Sequence, residues 1–268
     1  MISYRRLKVL ACLICGFVWA SPLWARQPDT GFLNRTVVAD GVTYKYQVFV
    51  PSNWTKKMTW PVILFLHGYG EEGEDGLVQT EVGLATAIRT HVDRFPTVVV
   101  IPQCRKKDWW TNPAMEAQAL KALDQTMKEF KGDPQRIYLT GLSMGGYGTW
   151  ALGSQHPGRF AALVPICGGV RLPPGHDVPN AHDTDDSADP YTAVAQKIAM
   201  TPVWVFHGGA DDTVPVTESR QMVAALKAAG GNVRYTEYPG VKHDSWDTAY
   251  AEPDLFPWLL AQKLSPPK

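Results

Sequence analysis

A chain of 268 residues, 45% hydrophobic and 19% charged, carries enough apolar material for one large core. Its 26 basic and 26 acidic side chains cancel and no long basic run stands out, which argues against nucleic acid as a partner. The 4 cysteines and 7 histidines fall in none of the clustered spacings that a metal site needs.

The N-terminus is unlike the rest. Arg5, Arg6 and Lys8 precede an apolar run, Val9 to Ala20, shorter than the roughly 20 residues of a membrane span. Pro22 breaks it, and Leu23-Trp24-Ala25 sets a small residue before a cleavage point. This outlines a secretory signal over residues 1–25, cut after Ala25 or, as second choice, after Ala20. An uncleaved N-terminal anchor is the competing reading. The expectation is a secreted or periplasmic protein with no stable membrane span after cleavage, its remaining residues 26–268 forming one domain. Cys12 and Cys15 would leave with the signal, so Cys104 and Cys167 become either a disulfide or two buried thiols.

Phe32 to Val38 reads as a strand, and Asp40-Gly41 is a strong hairpin signal. Val42, Tyr44, Tyr46, Val48 and Val50 then alternate with other residues at a period of two, as in a strand with one buried face. Pro61 to Leu66 is apolar on both sides, the pattern of a central parallel strand covered by helices. It ends in His67-Gly68-Tyr69-Gly70, where the glycines allow a turn that aims the Tyr69 N–H into a site. An ordinary strand-to-helix turn is the plain alternative. The acidic residues Glu71, Glu72, Glu74 and Asp75 read as a solvated loop. A helix is expected over Val82 to Phe95, a buried strand over Thr97 to Ile101, and a helix over Ala114 to Phe130. Trp109 and Trp110 lie in the loop past that strand, where open α/β sheets gather ligands; they line a substrate wall or cap the core.

Next comes Arg136-Ile-Tyr-Leu-Thr-Gly141-Leu-Ser143-Met-Gly145-Gly146, a strand running into a small-residue helix. A serine at such a turn is exposed above a helix N-terminus, with glycines where backbones approach closely. The bare pentapeptide arises by chance in roughly one chain in ten of this length, so its context carries the weight. Phe160 to Cys167 reads as a strand. The irregular stretch 171–189, with His176, His182, Asp183, Asp185, Asp186 and Asp189, matches no metal loop and reads as a surface rim. Pro202 to His207 is another buried strand, leading to Asp211 and Asp212. A helix over Val216 to Ala229, a strand over Val233 to Tyr238, a loop bearing His243 and a final helix complete the alternation. The expected class is α/β, a mostly parallel central sheet flanked by helices with an antiparallel strand pair at its N-terminal edge.

Three groups fall at C-terminal ends of strands in the order Ser143, Asp211, His243. A serine hydroxyl needs a base within hydrogen-bond reach. Imidazole serves near neutrality, and a carboxylate orients it and stabilises its charged form. Asp211 and its neighbour Asp212 can each serve in that last role. The backbone N–H groups of Tyr69 and Met144 are the candidate oxyanion hole, and Trp109, Trp110 and Trp246 the candidate substrate-binding residues.

These stretches, Leu66 to Gly70, Gly141 to Gly146, His207 to Pro215 and Gly240 to His243, resemble an α/β-hydrolase. From about Pro61 to Leu260 the chain is similar to the phospholipase/carboxylesterase and dienelactone-hydrolase-like group. That group includes esterases described as predicted peptidases or polyhydroxybutyrate-depolymerase-like. The resemblance implies an α/β-hydrolase fold, Asp211 rather than Asp212 as the acid, and hydrolysis without metal or cofactor. Dienelactone hydrolases use cysteine where this chain has Ser143, a departure that argues against their substrate. The expected function is an exported serine carboxylesterase acting on small, aromatic or polysaccharide-linked esters. A serine peptidase on the same residues, or a non-catalytic carbohydrate- or polymer-binding protein using the tryptophans, are the alternatives.

Overall fold

The computed structural model describes residues 29–172 and 183–264. The expected signal segment 1–25 lies outside the described residues, as do His176 and His182.

The hairpin forms where its turn chemistry puts it. β1 (Gly31–Ala39) and β2 (Val42–Val50) pair antiparallel from Gly31 opposite Val50 to Ala39 opposite Val42. Asp40 and Gly41 take φ of 50° and 79°, the left-handed pair that a two-residue hairpin turn requires. β2 then pairs antiparallel with β4 (Val98–Pro102). From there the sheet is parallel through β3 (Trp60–Leu66), β5 (Gly132–Leu142), β6 (Ala162–Ile166), β7 (Val203–Gly208) and β8 (Val233–Tyr238). The spatial order is β1-β2-β4-β3-β5-β6-β7-β8.

Helices cover both faces. α2 (Pro113–Glu129), α3 (Met144–Gln155), α4 (Pro190–Ile198) and α5 (Thr217–Ala228) pack on one face. α1 (Leu84–Thr90), α6 (Trp246–Ala251) and α7 (Leu255–Ala261) pack on the other. The period of two in a strand sorts the residues of β3 between them. Val62, Leu64 and Leu66 join the first core, while Ile63 and Phe65 join the second. This double coverage is why β3, β4 and β6 are apolar throughout.

Three local expectations are corrected. β2 is covered on both faces in its second half, where Gln47 donates to Gly76 O and Phe49 enters the second core. The helix expected over 82–95 is only Leu84–Thr90, followed by a 3-10 turn at Val92–Arg94. The strand expected from Arg136 begins earlier, at Gly132, as β5. In the irregular stretch, the acids serve local structure. Asp183 accepts the N–H of Leu172, Asp185 pairs with Lys197, and Asp189 caps α4 through the N–H of Thr192.

Ser143 stands between β5 and α3 at φ 52° and ψ −118°. That region costs a non-glycine residue roughly 1–3 kcal/mol, which the surrounding packing must hold in place. The packing is backbone on backbone. A β-carbon at Gly145 would lie 2.0 Å from Leu66 O, and one at Gly141 would lie 2.2 Å from Gly145 O. Leu66 O belongs to β3 and Gly145 O to α3, so neither can move without disturbing its element. Gly145→Ala is therefore expected to cost at least about 3 kcal/mol of stability. Gly70→Ala, with nothing within 4 Å of its β-carbon and no positive φ, should stay within about 0.5 kcal/mol of the parent. Urea unfolding of both variants checks the contrast.

Candidate active site

The ends of β5, β7 and β8 bring three distant side chains together. Ser143 Oγ lies 2.8 Å from His243 Nε2, and His243 Nδ1 lies 2.8 Å from Asp211 Oδ2. The loops that carry the acid and the imidazole are joined by backbone bonds. Gly209 N–H donates to Tyr238 O, and Ala210 N–H donates to Val241 O. Gly208 permits this contact, since a β-carbon there would lie 2.1 Å from Lys242 O. Asp212 turns the other way and pairs on the surface with Lys242 at 2.8 Å. Of the two neighbouring acids, Asp211 alone meets the imidazole.

Asp211 is fully withdrawn from solvent yet well supplied with donors. Its Oδ1 accepts the N–H groups of Thr213 and Val214, both at 2.9 Å. Its Oδ2 is shared by His243 and by His207 Nε2 at 3.1 Å. Burial pushes this carboxyl up, but the bonds from His207, His243, Thr213 and Val214 outweigh it and hold it below the usual carboxylate range. His207 Nε2 also faces Val214 O at 3.0 Å, so that nitrogen carries a proton; Nδ1 lies 2.7 Å from Ser219 Oγ. His207 is thus a fixed donor that orients Asp211. The sequence places it in the strand-end segment His207 to Pro215 without revealing that contact.

The turn after β3 presents the other half of the site. Tyr69 begins a 3-10 turn (Tyr69–Glu71) and Met144 begins α3, so neither N–H has an acceptor within its own helix. The Gly68–Tyr69 peptide is anchored from behind: its carbonyl, Gly68 O, lies 2.6 Å from His67 Nδ1. In a trans peptide the N–H points opposite to the C=O, so this bond aims the Tyr69 N–H away from His67. His67 Nε2 in turn accepts the N–H of Cys104 at 2.9 Å, which fixes the tautomer with the proton on Nδ1. The glycines act differently from expectation. Gly68 has φ −81°, open to any residue, and is required for space, with Leu142 Cδ1 2.8 Å from where a β-carbon would stand.

A pocket of about 300 Å³ opens onto Ser143. Its walls are Tyr69, Glu71, Trp109, Leu142, Tyr147, Thr213, Val214 and Trp246, with the backbone of Gly68 and Gly70. Trp109 packs against Tyr69 and Tyr147, and Trp246 stands edge-on to the His243 ring at 5.6 Å. Trp110 is a correction. It is fully buried, donates Nε1–H to His67 O at 2.9 Å and packs on Gly148, so it supports the turn instead of facing the pocket. Glu71 is a second one: the solvated acid of the sequence is half-buried in the pocket wall. Its position three residues after Gly68, where a helix-start acid reaches back, was the available signal. Tyr147, Thr213 and Val214 were also missed, being placed only by tertiary packing.

Cys104 and Cys167 are free, buried thiols. Cys167 lies beneath the site, where its sulfur, Asp211 and His243 offer ligand-type atoms within 4.8 Å of one another. Burial pushes the Cys167 thiol far up and keeps it protonated, and the Asp211 oxygens already hold their donors, so this geometry is a hydrogen-bonded site and not a ready metal cage. An arrangement of this kind can deprotonate a hydroxyl as it attacks a carbonyl and can meet the resulting oxyanion with two N–H groups.

Burial lowers the His67 pKa to about 4. An unfolded chain binds that proton already near the ordinary histidine value of about 6.5, so stability falls as the pH drops through this window. The native protein is expected to lose about 3 kcal/mol of the His67 contribution between pH 7 and pH 4. His67→Gln, which carries no titrating group, should show a shallower loss in urea unfolding over the same range.

The sequence pattern of the prolyl oligopeptidase family matches residues 108–259, which run from the Trp109 loop through Ser143, Asp211 and His243 to α7. An "Uncharacterized secreted protein" of Arthroderma benhamiae is 29% identical over 247 residues, 85% of this chain and 26% of that protein. The "Bifunctional acetylxylan esterase/xylanase XynS20E" of Neocallimastix patriciarum is 31% identical over 124 residues, 45% of this chain and 17% of that protein. Among solved structures, a "Thermostable Esterase" superposes with a TM-score of 0.70 at 32% identity, over 87% of this chain and 63% of that one. The chain thus spans about a quarter or less of the two curated relatives and under two thirds of the esterase structure. By its sheet order, its strand-end loops and the matched pattern, the chain is an α/β-hydrolase and belongs to the prolyl oligopeptidase family.

Proposed function

We propose that this chain is an exported serine carboxylesterase. The observation that carries the proposal is the unbroken relay from Ser143 Oγ through His243 to Asp211, with both links at 2.8 Å, opening on a pocket with aromatic walls. Ser143 Oγ attacks the ester carbonyl while His243 Nε2 takes its proton. Tyr69 N–H and Met144 N–H bind the developing oxyanion. His243 returns the proton to the departing alkoxide, and water, deprotonated by the same imidazole, releases the acyl group from Ser143. Asp211 holds His243 in the tautomer that leaves Nε2 free to accept. Trp109 and Trp246 line the acyl or alcohol part; their rings, with Tyr69 and Tyr147, suit small or aromatic groups. Names among the relatives, an acetylxylan esterase and a thermostable esterase, support ester over other bonds. Export is supported by the basic and apolar N-terminal residues and by a relative described as secreted. No helix among the described residues is long and apolar enough to cross a membrane.

The family match itself favours a second reading, hydrolysis of peptide bonds by the same groups. Matched ester and amide substrates separate the two. The esterase reading expects kcat/KM for nitrophenyl esters, a feruloyl ester or an acetylated sugar to exceed that for the corresponding amides by orders of magnitude. Ser143→Ala should lower ester turnover at least about 10⁴-fold, and Asp211→Asn about 10³- to 10⁴-fold. Turnover that survives Ser143→Ala overturns the assignment, and faster amide than ester cleavage moves it to peptidase.

A further inference from the structure

Among the residues that wall the pocket, Glu71 is the one acid, and nothing in the ester chemistry above uses it. Its carboxylate flanks the same glycine as the nucleophile. The point a Gly68 β-carbon would occupy lies 3.1 Å from Glu71 Oε2 and 3.7 Å from Ser143 Cβ. Its backbone is tied to the same glycine. Glu71 ends the 3-10 turn that Gly68 precedes, and its N–H donates to Gly68 O at 3.4 Å. A carboxylate that is half-buried in the wall of the pocket onto which Ser143 opens acts on every ligand that enters. The Tyr69 and Trp109 rings, which pack on each other, line the same pocket, and aromatic faces likewise attract cations and repel anions.

Resting on the carboxylesterase reading, we propose that Glu71 sets the charge selectivity of this pocket, favouring esters that bear an ammonium or a hydroxyl donor and rejecting esters that bear a second carboxylate. Two unit charges several ångströms apart in a partly desolvated wall alter binding by about tenfold or more. A purely structural role of Glu71 in its turn would affect all esters alike, because that turn carries the Tyr69 N–H. Selectivity is a ratio between substrates and is blind to that effect.

The test uses three nitrophenyl esters of equal acyl length, ending in a tert-butyl group, a trimethylammonium group or a carboxylate. With the native protein, kcat/KM for the cationic ester should exceed that for the anionic one by about tenfold or more at low ionic strength, and salt should narrow the gap. Glu71→Gln keeps the size and shape of the side chain and removes the charge. It should bring the cationic-to-anionic ratio close to one, whatever it does to the neutral ester. A ratio unchanged by Glu71→Gln overturns the proposal. So does a native protein that fails to discriminate, a result that needs no variant to fold. In both cases turnover of the neutral ester shows that the esterase reading still stands, whereas absence of turnover with all three esters refutes both.

Discussion

Everything in this site depends on how closely α3 approaches β3 at the elbow. The backbone of Gly145 rests against Leu66 O, and Gly141 rests against the carbonyl of Gly145, at separations that leave no room for a β-carbon. The contact forces the chain to turn sharply between β5 and α3 and holds Ser143 at φ 52°. It also puts the start of α3 beside the turn that follows β3. Tyr69 and Met144, far apart in sequence, therefore begin neighbouring turns, since the Gly68 β-carbon point lies 3.7 Å from Ser143 Cβ. The strained serine and the proposed oxyanion donors both follow from one backbone contact.

Around that point, the protein spends its buried polar groups on orientation. His67 holds the Gly68 carbonyl, Trp110 holds the His67 carbonyl, and His207 and two backbone N–H groups saturate Asp211. Each group is buried and each is satisfied, so few rotamers or tautomers remain available. On the proposed mechanism this is preorganisation: donors stand where charge would develop and need not rearrange when it does. Four aromatic rings, Tyr69, Trp109, Tyr147 and Trp246, line the pocket above them, and Glu71 is the one acid in that wall.

Much of this was legible in the residues. Buried parallel strands read as unbroken apolar runs, and Asp40-Gly41 marked the hairpin. Ser143, Asp211 and His243 each stood just past a strand, where such sheets present their side chains. What stayed hidden depends on contacts between segments far apart in the chain. Nothing local tells Trp109 from Trp110, yet one ring faces the pocket and the other fills the core beside Gly148. His207 reads as the last residue of a strand, and its bond to Asp211 exists only because the following loop folds back over it. Glu71 carried a partial signal in its spacing from Gly68, outweighed by the acids that follow it. The helix expected over 82–95 ended early because Thr90 gives way to a separate turn, a boundary that apolar periodicity alone does not mark.

The central claim is that Ser143 is a nucleophile activated by His243 and Asp211. Reaction of the native protein with a fluorophosphonate, followed by intact mass and peptide mapping, tests it most directly. One adduct per chain is expected, located on Ser143, with labelling slowed by orders of magnitude in His243→Ala. A native, folded protein that takes up no label, or takes it up on another residue at a rate indifferent to His243, would contradict it.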